Sequence, residues 1–240
     1  MIRALLLTAL CAFLATVGFF SIAAATGGRA LGQFLESSDF DWDSDDDGPS
    51  ISGSGPQTVK ILTWTGGDEL KVRIPATVHY TQGPMTSLAV TGPQGTVDHV
   101  VVRDGALRFD RRVRDAARVE VTIMAPDVTH FVMRDSQHLD ISGYRHERLE
   151  ATVAGSGKIT AKGSADDVEL RIAGSGDMDF GELITKRLEI HIGGSGNAIA
   201  APTEEAEVNI GGSGDVTFRT RPKKLETHIG GSGAVHQPDA

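Results

Sequence analysis

From Leu149 onward, the first, third and fifth positions of a five-residue segment that is written five times are mostly aliphatic. The copies are Leu149-Glu150-Ala151-Thr152-Val153, Val168-Glu169-Leu170-Arg171-Ile172, Leu188-Glu189-Ile190-His191-Ile192, Ala206-Glu207-Val208-Asn209-Ile210 and Leu225-Glu226-Thr227-His228-Ile229. Alternation of this kind predicts a strand with one face buried. Each copy runs into Ala or Gly and then a Gly-Ser-Gly corner. The corners are Gly155-Ser156-Gly157, Gly174-Ser175-Gly176, Gly194-Ser195-Gly196, Gly212-Ser213-Gly214 and Gly231-Ser232-Gly233. The serines are 19, 20, 18 and 19 residues apart. A short, regular period is the mark of a solenoid, whose units bury their apolar faces only by stacking. The expected fold is all-β, a β-helix or solenoid with rungs of about 19 residues.

A second short strand is expected after each corner, at Lys158–Ala161, Asp177–Phe180, Asn197–Ala200 and Asp215–Phe218. Leu139-Asp140-Ile141-Ser142-Gly143 reads as a degenerate first copy of the repeat. Between residues 58 and 126 the alternation is shorter and less regular, which predicts a strand-rich segment capping the solenoid. Its expected strands are Val59–Leu62, Leu70–Ile74, Val78–Tyr80, Leu88–Val90, Val100–Val102, Ala106–Phe109 and Val119–Ile123, with an Asp104-Gly105 hairpin turn. No helix is expected after the first 25 residues.

Each repeat position has an expected role. Val153, Ile172, Ile192, Ile210 and Ile229 stack as an interior ladder, rungs about 4.8 Å apart. The corner glycines permit backbone conformations a side chain would forbid, and the serine allows close approach and a hydrogen bond to the next rung. Glu150, Glu169, Glu189, Glu207 and Glu226 form an outward column, offset by solvent or by Arg148, Lys186, Arg187, Lys223 and Lys224 just before the strands. Arg171, His191, Asn209 and His228 share that outer face with Thr152. The column reads either as a recognition strip or as a solvated face that deters edge aggregation.

Composition narrows the functions. Met1-Ile2-Arg3 followed by an apolar run from Ala4 to Ala25 predicts an export signal in residues 1–25, with Ala23-Ala24-Ala25 as its cleavage site. Its 22-residue length leaves an uncleaved anchor through residues 4–25 as the alternative. Cys11 is the only cysteine and lies in that run, so the remainder has neither disulfide nor thiolate chemistry. Without Arg3 the formal charge of −9 becomes −10, which argues against nucleic acid as a partner. Residues 26–57 read as an acidic, disordered tether. Asp43-Ser44-Asp45-Asp46-Asp47-Gly48 copies the opening of an EF-hand loop, but Ser54 stands where the loop needs its bidentate Glu.

The corners do not carry chemistry. A lipase-type elbow needs Gly-x-Ser-x-Gly, which Gly194-Ser195-Gly196-Asn197 does not supply. Calcium-binding nonapeptides need Asp where Val216 stands, and half the period. His191 and His228 are two rungs apart, too far to share an ion, so no metal site and no cofactor is expected. A polysaccharide lyase or glycoside hydrolase is the alternative function, with Asp166, Asp167, Asp177, Asp179 and Asp215 available, though no spacing singles out a pair.

The tandem strand-Gly-Ser-Gly copies, with the upstream run Val78-His79-Tyr80-Thr81-Gln82-Gly83, resemble the head GIN domain family of autotransporter adhesins. The resemblance covers about residues 59–235, and the domain is drawn at 58–240, with a strand-rich part at 58–126 and repeats at 139–235. It implies an exported bacterial protein with a β-helix-like body and no established enzymatic activity. No segment resembles an outer-membrane translocation barrel. The expected protein is a non-catalytic envelope module in the periplasm or on the cell surface. Its repeat face would contact a glycan, a protein or another copy, the last through end-to-end solenoid contacts.

Overall fold

A computed structural model describes residues 51–239; the expected export signal at 1–25 and most of the expected tether at 26–57 lie outside the described residues. All described residues belong to one compact unit. The chain forms β1 (Ile51–Ser52), β2 (Gln57–Leu62), β3 (Glu69–Val72), β4 (Ala76–Gln82) and β5 (Ser87–Pro93), then one helical turn, α1 (Gln94–Val97). There follow β6 (Val100–Arg103), β7 (Ala106–Phe109), β8 (Val113–Arg114), β9 (Val119–Ala125) and β10 (His130–Asp135). The repeats supply β11 (His138–Gly155), β12 (Lys158–Gly174), β13 (Asp177–Ile192), β14 (Ala198–Ile210), β15 (Val216–Phe218), β16 (Lys224–Ile229) and β17 (Val235–His236). The solenoid expectation holds, with about five turns.

Each long strand begins just after one corner, bends, and ends at the next corner. Successive strands pair in parallel, and the registers place Val153 on Ile172, Ile172 on Ile192, Ile192 on Ile210 and Ile210 on Ile229. The aliphatic ladder of the sequence is therefore the interior. Its members from Val153 to Ile210 are buried, while Ile229 on the last rung is 43% exposed. The post-corner strands stack likewise, Ile159 on Met178 and Met178 on Ala198. Unequal repeat lengths are absorbed at the bend opposite the Gly-Ser-Gly corner. Register shifts fall between Thr160 and Lys162 and between Phe180 and Ile184, and the corners stay aligned.

The glycines act through space more than through dihedral freedom. Gly155 and Gly174 have positive φ, as expected. The later corners do not, and there a Cβ has no room: one on Gly194 would lie 2.1 Å from the Gly174 carbonyl oxygen. The rung-to-rung bond of each serine is made by its main-chain N–H. Ser175 donates to the Gly155 carbonyl, Ser195 to Gly174 and Ser213 to Gly194, and the serine side chains are exposed.

The start of the repeat is not where the sequence placed it. Leu139 and Ile141 pair with Ile159 and Ala161, so they belong to a post-corner strand. The degenerate copy of the pentad is β10, with His130 against Glu150 and Met133 against Val153. Asp135-Ser136-Gln137 serves as its corner. Parallel stacking also continues upstream, because β3 pairs with β10 and β4 pairs with both β9 and β11. The strand-rich part thus shares one 15-stranded sheet with the repeats. At the beginning of the stack, β9 pairs with β5 and β5 with β2, both antiparallel, and β6 and β7 form the expected Asp104-Gly105 hairpin. Tyr80, Phe131 and Tyr144 fill this part of the core, with edge-on ring contacts at 5.1 and 6.2 Å.

Candidate functional site

Because side chains alternate along a strand, every second residue of the pentad faces outward, and parallel in-register stacking turns each outward position into a column. Glu150, Glu169, Glu189, Glu207 and Glu226 are successive register partners. Thr152, Arg171, His191, Asn209 and His228 form the adjoining column. The structure brings all nine candidate residues of the sequence onto one face.

The glutamates are partnered mainly within their own strands. Arg171 pairs with Glu169, the His191 Nε2 lies 2.6 Å from the Glu189 Oε1, Asn209 donates to Glu207 at 3.1 Å, and His228 lies 3.3 Å from Glu226. At the first rung, His130 lies 3.0 Å from Glu150 and the Arg148 Nε donates to Glu150 at 2.6 Å. Among the basic residues expected to offset the column, Arg148 alone ion-pairs with it, reaching Glu169 as well at 3.6 Å. The others are used elsewhere. Lys186 pairs with Asp166 at 2.9 Å, Arg187 donates to Asp167, Lys224 pairs with Glu205, and Lys223 lies 3.9 Å from Glu204.

These pairs reveal a third column that the sequence reading missed. Arg148, Asp167, Arg187, Glu205 and Lys224 are register partners, so charge alternates in sign from rung to rung. The hydrogen bonds to Asp166, Asp167 and Glu205 hold Lys186, Arg187 and Lys224 above their ordinary pKa values. One column is thus neutralised by its own neighbours, and the glutamate column beside it carries the acidic excess. A groove of about 380 Å³ runs between them, floored by Val168, Leu188 and Ala206 and walled by both columns.

A fourth ladder follows the corners. The Asp177 Oδ1 accepts from the Asn197 main-chain N–H and side-chain amide, the Asn197 Oδ1 accepts from the Asp215 N–H, and the Asp215 Oδ1 accepts from the Ala234 N–H. Asp177 and Asp215, two of the aspartates available to the hydrolase or lyase alternative, each satisfy a backbone donor on the next rung. Asp179 accepts from the Gly181 N–H, and Asp166 and Asp167 are ion-paired. All five aspartates considered for catalysis therefore have structural partners. His191 and His228 are separated by Asn209 in register, as the spacing required. However, Glu169, Glu189 and His191 bring one donor atom each within 4.8 Å of one another, a grouping with one histidine rather than two.

This geometry meets its counterpart in known proteins. Residues 68–222 match the family described as "Putative auto-transporter adhesin, head GIN domain". The chain belongs to that family. A solved putative adhesin from Bacteroides fragilis is similar, with TM-score 0.65 and 19% identity, covering 79% of this chain and all of that one. A putative lipid binding protein from Parabacteroides distasonis gives TM-score 0.52 at 19% identity, covering 80% of this chain and all of its own. A putative adhesin from Parabacteroides merdae gives 0.51 at 14%, covering 79% and 99%. At these identities the likeness establishes the fold. No protein of curated function matches the chain. Among the described residues no helix is long and apolar enough to cross a membrane.

Proposed function

We propose that this protein is a non-catalytic binding module of the bacterial cell envelope, and that its glutamate face contacts a glycan or protein. The observation that carries the reading is the in-register column from Glu150 to Glu226, an acidic strip beside a charge-balanced one. Like charges directly opposite on a sheet are unfavourable. Arg148 and Arg171 offset the first two members, while Glu189, Glu207 and Glu226 continue the stack beside His and Asn, and recognition supplies a reason for that. Membership of an adhesin family supports the same reading. The lipid-binding neighbour shares 19% identity and adds only the fold. The five aspartates that the lyase or hydrolase alternative would draw on all have hydrogen-bond or ion-pair partners, which favours the binding reading.

The test is retention of the purified protein on immobilised bacterial and host polysaccharides, with new reducing or unsaturated ends read in the same assay. Retention without product supports a binding module. New chain ends, abolished by one Asp substitution, would replace this reading with the enzymatic one.

A second reading is favoured by the last rung. Among the described residues β16 pairs with β14 alone, and Ile229, which occupies an inward position, is 43% exposed while Ile210 beneath it is 2%. An open strand edge over an uncovered apolar ladder is a template for another strand. End-to-end association should appear as a concentration-dependent sedimentation coefficient. A constant monomer value at high concentration would remove it.

A further inference from the structure

We propose that Glu169, Glu189 and His191 form a surface site for a divalent transition-metal cation of the zinc type. The proposal is independent of what the face binds. Its three donors come from two adjacent rungs. Glu169 and Glu189 are register partners, and His191 follows Glu189 by two residues on the same outer face. The fold thus fixes all three on rigid strands rather than on a loop. Their donor atoms lie within 4.8 Å of one another. A tetrahedral ion about 2.1 Å from each ligand needs donors roughly 3.4 Å apart, a closure within reach of side-chain rotation. One imidazole nitrogen with two carboxylates suits a borderline cation better than a hard one, which would take oxygen alone.

A second observation is the charge pattern of the column. Glu150 and Glu169 have Arg148 and Arg171 as fixed cations. From Glu189 onward the adjoining column offers His191, Asn209 and His228 in place of Arg. The site falls where the arginine complement ends and stacked carboxylates continue. Arg171 pairs with the Glu169 Oε1 and Arg148 lies 3.6 Å from its Oε2, so the ion takes that second oxygen by displacing the longer of the two contacts. A third feature is access. Glu169 and Glu189 both line the 380 Å³ groove, so the cation's remaining positions open to solvent or to an oxygen donor of a partner. The similar trio Glu207, Glu226 and His228 is not gathered in this way among the described residues, and it provides an internal control.

The test is calorimetric titration of the full chain with Zn²⁺ alone, in the wild type and in E189Q, H191N and H228N. Circular dichroism reports whether each variant is folded, and the acidic residues between 36 and 47 contribute equally to all four. The expected result is one site whose affinity falls about tenfold or more in E189Q and H191N, the loss that even an outer-shell change commonly brings. H228N should bind as the wild type does. Should E189Q be misfolded, H191N decides alone, because the imidazole lies partly exposed on the outer face. Equal affinity in the wild type and H191N, equal loss in H191N and H228N, or no uptake at millimolar Zn²⁺ would each overturn the proposal.

Discussion

Asp135 lies opposite Gly155 in the parallel register, and with φ of 67° it turns the first corner in the left-handed conformation otherwise suited to glycine. Its carbonyl accepts the Ser156 N–H at 2.9 Å, as the corner glycines accept the serine N–H groups of later rungs. A non-glycine residue in this conformation carries a backbone cost that Asp reduces but does not abolish. D135G should therefore raise stability by up to about 1 kcal/mol, read as a higher urea midpoint with unchanged slope. A lower midpoint would mean that the Asp side chain supports the corner in some further way.

The close approach of corners gives a matched pair of substitutions. A Cβ on Gly194 would meet the Gly174 carbonyl oxygen at 2.1 Å, whereas on Gly193 the nearest atom is the Ile172 carbonyl oxygen at 3.8 Å. G194A should cost about 1–3 kcal/mol or more, since rigid backbone must separate. G193A should be nearly silent, and Ala154 and Ala173 already occupy that position on earlier rungs. Thermal unfolding of the two variants checks this, and equal effects would show that the rungs are not packed as described.

The corner ladder predicts a charge-dependent defect. Asn197 donates its amide to Asp177 and accepts the Asp215 N–H, so N197D would stack three carboxylates and lose one donor. The expected loss at neutral pH is about 1–3 kcal/mol, shrinking as pH falls through the carboxylate range and one group protonates. Urea midpoints at pH 7 and pH 4 measure it. A loss that does not change with pH would argue against the ladder.

Both tyrosines of the chain are buried at the start of the stack, where the Tyr80 hydroxyl donates to the Ala125 carbonyl and the Tyr144 hydroxyl to the Arg148 carbonyl. Burial pushes the Tyr80 pKa up to about 12, and it raises Tyr144 as well. In the unfolded chain both ionise near 10. Stability that depends on their neutral form is present below about pH 10 and lost as pH rises toward the folded values. Tyrosinate absorbance should therefore appear together with loss of the β signal. Ionisation near pH 10 in a folded protein would show that the phenols are not buried.

The solenoid was legible because the pentad and the corner repeat as written residues, and a period of two within the pentad decides which face is inside. The first turn was not legible. In β10, His130-Phe131-Val132-Met133 keeps the inward Phe and Met but lacks the glutamate, and its corner reads Asp135-Ser136-Gln137. The eye passes instead to Leu139-Asp140-Ile141-Ser142-Gly143, which imitates the repeat while belonging to the other strand of the rung. On the face itself, the glutamate column is visible because one residue type recurs. The column from Arg148 to Lys224 conserves nothing but an alternation of sign, so it emerges only when the rungs are laid in register. The Glu169–Glu189–His191 group is hidden for a similar reason, since Glu169 stands 20 residues before Glu189 in sequence and beside it in space.

The most direct measurement compares the wild type with the triple variant E189Q/E207Q/E226Q on immobilised envelope glycans and proteins, with urea unfolding of both. Removing three stacked like charges should leave stability equal or slightly higher, by about 0.5 kcal/mol per relieved pair at most, and make it less sensitive to salt. The account predicts that the folded variant loses most of the retention shown by the wild type. Retention undiminished in a folded variant would contradict it, and the glutamate column would then be a solvated face with no part in binding.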